Sequence, residues 1–190
     1  QCAIPLTLKL IEMPAQKITI IDFVDNRNRV REALDKGVNY VMERITPDNY
    51  SKLLGKYVGH GDMIIDLAWN IETRAIIKWC RENNVLYANT SIEDWDPYKD
   101  SERNDPSKYT LYTRHMDLRK MIDDWGDNNG PTAIVDHGAN PGLLSHFTKY
   151  ALIYIAKKIL KEKPNDPRKK LLEMSLEDKN FAKLAQITGV

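Results

Sequence analysis

The residues best suited to chemistry lie together in Asp136-His137-Gly138-Ala139-Asn140-Pro141-Gly142. His137 is a candidate proton carrier, or an ordinary hydrogen-bonded turn residue. Asn140 can serve a ligand, or it can be a helix N-cap with Pro141 at the first helical position. Gly138 and Gly142 suit the turn itself. A second place is Glu93, within Asn89-Thr90-Ser91-Ile92-Glu93-Asp94-Trp95. Its carboxylate follows a strand end directly, where it is either a ligand-edge acid or a solvated loop acid. Trp95 beside it could offer a π face to an ammonium group, or simply anchor the loop.

Two further places complete the set. Asp22 closes the run Lys17-Ile18-Thr19-Ile20-Ile21. In a dinucleotide-binding unit that position holds the acid that hydrogen-bonds a ribose hydroxyl; the alternative is a strand-end Asp making an Asx turn. Leu67-Ala68-Trp69-Asn70 ends the strand from Met63, and a backbone turn there would face a dinucleotide. Asn70 reads equally well as the N-cap of the next helix. His60 and His146 show no metal-ligand spacing with other residues, and no Ser/His/Asp nucleophile arrangement is visible. No metal site is expected.

The elements needed to position these residues alternate. Short β-branched or apolar runs at 17–22, 38–42, 63–67, 85–88 and 132–135 read as buried strands. Between them the pattern predicts helices over 28–36, from Thr46-Pro47 onward with Thr46 as N-cap, over 71–83 with Ile76, Ile77 and Cys80 inward, and over 109–125. Residues 92–107 form a long acidic stretch of the kind that is functional or mobile. Leu143 onward reads as a helix. The expected fold is α/β, a doubly wound parallel sheet of the Rossmann kind. Ligands then bind at the carboxyl ends of the strands, where all four places lie.

Composition narrows the function classes. A net charge of +1 over 190 residues argues against nucleic acid as the main partner. Lys157, Lys158, Lys161, Lys163, Arg168, Lys169 and Lys170 read as a solvated helical face or as a site for an anionic partner. Two cysteines are too few for a disulfide scaffold and point to a reducing, cytoplasmic setting. No apolar stretch approaches the ~20 residues that span a bilayer.

Both ends read as cut. Gln1 runs straight into Ala3-Ile4-Pro5-Leu6-Thr7-Leu8-Lys9-Leu10-Ile11, a helix already under way. A glycine-rich phosphate loop would lie just before Gln1. The expected organisation is a dinucleotide-binding domain over 1–150, lacking its first strand and glycine loop. Residues 151–190 would be a helical connection into a second, catalytic domain.

The segment from Asp136 to Phe147, with its His-Gly-Ala-Asn-Pro-Gly core, resembles that of the bacterial-type homospermidine synthases, within the saccharopine dehydrogenase-like group. Thr90-Ser91-Ile92-Glu93-Asp94-Trp95 resembles a second segment of that family, which usually has Pro where this chain has Asp94. The strand ending in Asp22 and the turn Ile45-Thr46-Pro47-Asp48-Asn49-Tyr50 also fit. The resemblance covers essentially the whole chain and is specific around Asn140. It implies NAD held as a prosthetic group and a reaction that joins two putrescine units into homospermidine with release of ammonia. The residues it implies for catalysis are Glu93, Asn140 and Asn70. For the cofactor it implies Asp22, Ala68, Trp69, Thr90, Asn140 and Pro141. Glu93 would hold an amine end or shuttle its proton, and Asn140 would hydrogen-bond the reacting amine. A homodimer is compatible with it, and the fragment alone should not catalyse.

Two other readings compete. A saccharopine dehydrogenase or carboxynorspermidine-type NAD(P)-dependent oxidoreductase would act on carboxylate-bearing substrates and want Arg or Lys near Asn140. A non-catalytic dinucleotide sensor would keep Asp22 but need no acid at Glu93. Asp22 disfavours NADP, because a carboxylate repels the 2′-phosphate.

Overall fold

A computed structural model describes residues 3–97 and 109–189. It is an α/β fold with five strands among the described residues: β1 Thr19–Asp22, β2 Asn39–Met42, β3 Met63–Asp66, β4 Leu86–Asn89 and β5 Ala133–Ile134. All five expected strands form, each within a residue or two of its apolar run, but the expected burial does not hold throughout: both residues of β5 are exposed, as are Met63 and Ile65 of β3. The helices are α1 Ala3–Leu10, α2 Arg31–Asp35, α3 Tyr50–Leu54, α4 Thr73–Asn83, α5 Leu111–Asp123, α6 Leu144–Glu162, α7 Lys169–Glu177 and α8 Phe181–Thr188.

The strands hydrogen-bond in two ladders. β1 pairs parallel with β2, setting Thr19 against Asn39 and Asp22 against Met42. The second ladder runs β3-β4-β5. Tyr87 N–H donates to Thr132 O just before β5, and His137 N–H just after it donates to Asn89 O. Bonds that advance together along both chains mark parallel pairing, which requires the helical crossovers seen here.

Two compact units emerge. The first comprises residues 1–64, 68–87 and 92–133. Its core includes Leu53, Leu54, Ile76, Ile77, Cys80, Val85, Tyr87 and Ile92, all buried. The inward face expected of α4 is thus confirmed, with Cys80 buried on it. The second comprises residues 65–67, 88–91 and 134–190. It gathers the carboxyl ends of β3, β4 and β5 with α6, α7 and α8. Leu152, Ala156, Leu172 and Leu184 form the core of its three helices. The lysines at 157, 158, 161, 163, 169 and 170 are exposed around it.

Three helix starts differ from expectation, one through side-chain hydrogen bonds and two through the local backbone conformation. Thr46 does not cap α3. Asn49 stands at that N-cap position and turns its carboxamide backward, accepting from Thr46 N–H at 2.8 Å and donating to Arg44 O at 2.9 Å. Asn70 does not cap α4, whose N-cap position is Glu72. Asn70 instead sits in the left-handed region at φ 58°, which Asn tolerates better than most residues. Asn140 does not cap α6. A single wide turn over Ala139–Leu143 comes first, and α6 opens at Leu144. Residues 98–107 of the expected long acidic stretch lie outside the described residues.

No helix among the described residues is long and apolar enough to cross a membrane.

Candidate functional site

The loop after β5 is fixed from below by one residue. Asn89, buried at the end of β4, accepts Asp136 N–H on its side-chain Oδ1 at 2.7 Å. Its backbone carbonyl accepts His137 N–H at 3.0 Å. Asp136 is buried and left-handed, with φ 57°, so the chain turns sharply there. Gly138 then passes over Thr90: a Cβ at 138 would lie 3.1 Å from Thr90 O. Gly142 folds back on His137, and a Cβ there would lie 2.9 Å from both its Cα and its carbonyl carbon. Leu143 N–H closes the loop on Gly138 O at 2.8 Å. Ser145 Oγ donates to Pro141 O at 2.6 Å.

This knot presents Asn140. Its backbone is extended, with φ −130° and ψ 120°, and its side chain is exposed. Among the described residues its carboxamide takes part in no hydrogen bond, so its donors and acceptor are available to a ligand. Pro141, joined to it by a cis peptide bond, is half-buried behind it. His137 and His146 pack edge to face, with ring centroids 5.3 Å apart. Thr90 is exposed beside Gly138. The second unit therefore brings Thr90, Asn140, Pro141 and the two imidazoles to the strand ends.

The remaining candidates belong to the first unit. Glu93 is half-buried, and its backbone exchanges two hydrogen bonds with Thr73: Thr73 N–H to Glu93 O and Glu93 N–H to Thr73 Oγ1, both 3.0 Å. Ala68 and Trp69 lie exposed in the turn after β3, with Trp69 68% accessible. Asn70 follows them, half-buried. Trp95 packs on Tyr50 with centroids 5.8 Å apart, which realises its loop-anchor reading.

Asp22 does make the Asx turn: Oδ1 accepts Val24 N–H at 3.1 Å and Oδ2 accepts Asn26 Nδ2 at 2.9 Å. Tyr40 Oη fixes the same loop, accepting from Asn26 N–H and donating to Val24 O. A carboxylate offers about four acceptor sites, so two remain for ribose hydroxyls. The two readings of Asp22 are compatible, and the residue fits a nicotinamide dinucleotide.

Residues 1–134 match the family model described as "Saccharopine dehydrogenase NADP binding domain". The chain belongs to that family of dinucleotide-binding domains. Its relatives are more particular. It is 32% identical over 162 residues to the homospermidine synthase of Blastochloris viridis, covering 79% of this chain and 32% of that protein. It is 29% identical over 158 residues to the homospermidine synthase of Mesorhizobium japonicum, covering 80% and 31%. The crystal structure of the homospermidine synthase from Legionella pneumophila in complex with NAD superposes with a TM-score of 0.63 at 32% identity, over 80% of this chain and 30% of that one. The chain thus spans about a third of the length of these relatives.

The supporting residues Asn89 and Thr73 carry little signal in the sequence. Each is polar and buried, yet each sits among residues that read as ordinary strand or helix. Their partners lie 47 and 20 positions away. The only local signal was a polar residue at an otherwise apolar position.

Proposed function

We propose that this chain is the NAD-binding portion of a homospermidine synthase, which couples two putrescine molecules into homospermidine and releases ammonia. The likeness to homospermidine synthases over four fifths of the chain carries this reading. Residues 1–150 form the dinucleotide-binding part, and 151–190 lead toward the second domain. Bound NAD supplies a reversible two-electron oxidation of the carbon that bears a putrescine amine.

The chain's own residues bind and orient. Asp22 holds the adenosine ribose through the acceptor sites left by its Asx turn. Within the first unit the turn at Ala68 and Trp69 contacts the dinucleotide, and within the second unit Thr90 and Pro141 do so. Putrescine is a dication at neutral pH, so its pocket needs acids. Glu93 holds one ammonium end or accepts its proton, and its double tie to Thr73 supports a fixed role. Asn140 hydrogen-bonds the reacting amine, supported by its unengaged carboxamide on a rigid turn. Asn70, in the turn after β3, is a further polar group for the diamine.

Glu93→Gln in the full-length protein lowers turnover of putrescine at least about tenfold, a typical share for one proton-transfer group, while NAD binding persists. Unchanged turnover removes Glu93 from the mechanism. Asn140→Asp then tests the carboxamide free of any capping role, since α6 opens at Leu144.

A second reading draws on the family description, which names saccharopine dehydrogenase and NADP. An oxidoreductase of that type would release reduced cofactor in step with product.

A further inference from the structure

Three consecutive residues around Glu93 are each tied to a helix of the first unit. Arg114 of α5 donates from Nη1 to Ile92 O at 2.8 Å. Thr73 of α4 holds the backbone of Glu93 on both sides. The Asp94 carboxylate lies between two guanidinium groups, with Oδ1 3.4 Å from Arg74 Nη2 and Oδ2 3.2 Å from Arg114 Nε. Arg74 also meets Glu72 at 3.1 Å and Asp117 at 3.7 Å.

Among the described residues, Arg74 and Arg114 supply two cations to this cluster, and Glu72, Asp94 and Asp117 supply three carboxylates. Only Asp94, among the described residues, bridges both cations. Glu93 is its chain neighbour. A guanidinium left uncompensated there would repel any cation approaching Glu93.

We propose that Asp94 is a positioning and charge-balancing residue for the diamine site. It neutralises Arg74 and Arg114 so that a dicationic substrate can reach Glu93, and it pins the chain on the far side of Glu93 from Ile92. This rests on the reading of Glu93 given above. The side chains involved are partly open to solvent, Arg74 35%, Arg114 23% and Asp94 32% accessible. Added salt therefore screens the effect, because the Debye length falls below about 10 Å above 0.1 M. A clamp that merely joined α4 to α5 through packing would show no such dependence.

The test is steady-state kinetics of the full-length protein with putrescine, at low salt and at about 0.3 M salt. Asp94→Asn raises KM about fivefold at low salt, the range of a partly exposed ion pair. The rise shrinks below about twofold at high salt. Asp94→Asn with Arg74→Gln restores the wild-type charge balance and brings KM back to within about twofold. Arg74→Gln alone lowers KM at low salt, a prediction that stands even if Asp94→Asn fails to fold. A wild-type KM in Asp94→Asn overturns the proposal. So does a raised KM in Arg74→Gln, or a salt-independent loss that the double substitution deepens. If the wild-type protein makes no homospermidine, the functional reading fails and this proposal falls with it. Product from the wild type with Asp94→Asn unaffected sinks this proposal alone.

Discussion

Thr73 and Glu93 hydrogen-bond each other twice, although 20 residues separate them. The N–H of Thr73, first residue of α4, donates to Glu93 O, while Glu93 N–H donates to Thr73 Oγ1. A helix start leaves its first N–H groups without intrahelical partners. Here the stretch after β4 satisfies one of them and is itself fixed in return. The acid at the strand end is thereby held to the amino end of the neighbouring helix.

Thr73→Val keeps the shape but removes the acceptor for Glu93 N–H. Thr73 is fully buried, so the substitution should lower stability by about 1–2 kcal/mol, read from denaturant unfolding. Turnover should fall further than stability alone explains, because Glu93 loses its tether. Thr73→Ser should retain both. Equal turnover in the Val and Ser variants would detach Thr73 from the site.

Asn89→Ala removes the side-chain acceptor for the buried Asp136 N–H. The expected loss of stability is about 1–3 kcal/mol. Its local signature is faster hydrogen exchange at Asp136 and His137 than in α4. Uniform acceleration across the chain would show that Asn89 supports the fold in general and not this loop.

These two residues show where the sequence was legible and where it was not. The positions of the five strands were, because β-branched runs such as Ile18-Thr19-Ile20-Ile21 favour extended backbone; their burial was not, since Met63 and Ile65 of β3 stand 46% and 47% accessible. The placement of three candidates at strand ends followed, since Asp22 closes one run and Glu93 and Asn140 come a few residues past two others. The helix starts were not, because Asn49, Asn70 and Asn140 are all acceptable caps in isolation. Asn49 bonds backward to Thr46 and Arg44, Asn70 takes a left-handed turn, and Asn140 is extended ahead of α6. Thr73, Asn89 and Asp94 stayed hidden for a different reason. Their partners are distant in sequence, and no periodicity encodes a contact across 47 residues.

Asp22 should favour NAD over NADP. Its carboxylate accepts two hydrogen bonds from its own loop and still repels a 2′-phosphate. Calorimetry on the full-length protein should give at least about tenfold tighter binding of NAD, equivalent to about 1.4 kcal/mol. Asp22→Asn keeps an acceptor for Val24 N–H but drops the charge, and should narrow that ratio. Preference for NADP in the wild type would contradict the role given to Asp22.

Asp166 and Arg168 predict an acid-side loss of stability in the helical second unit. Hydrogen bonds from the Arg168 side chain, and then from its backbone N–H, hold the Asp166 carboxyl well below its ordinary value of 3.8. Arg168 also donates to Ile187 O at 3.1 Å, joining α8 to this turn. Because the folded state lowers this pKa, the contribution is fully present above pH 3.8 and disappears as pH falls toward the folded value. Thermal melts of wild type should therefore drop below that pH more steeply than those of Asp166→Asn. Parallel curves would remove the pair from the stability of this unit.

A homospermidine synthase that holds NAD as a prosthetic group consumes none of it over a full cycle. Incubation of the full-length protein with putrescine and NAD, followed by product analysis and cofactor absorbance, reads this out. Homospermidine and ammonia should form in equal amounts with no accumulation of NADH. Accumulating NADH without homospermidine, or no product at all, would rule out the proposed function.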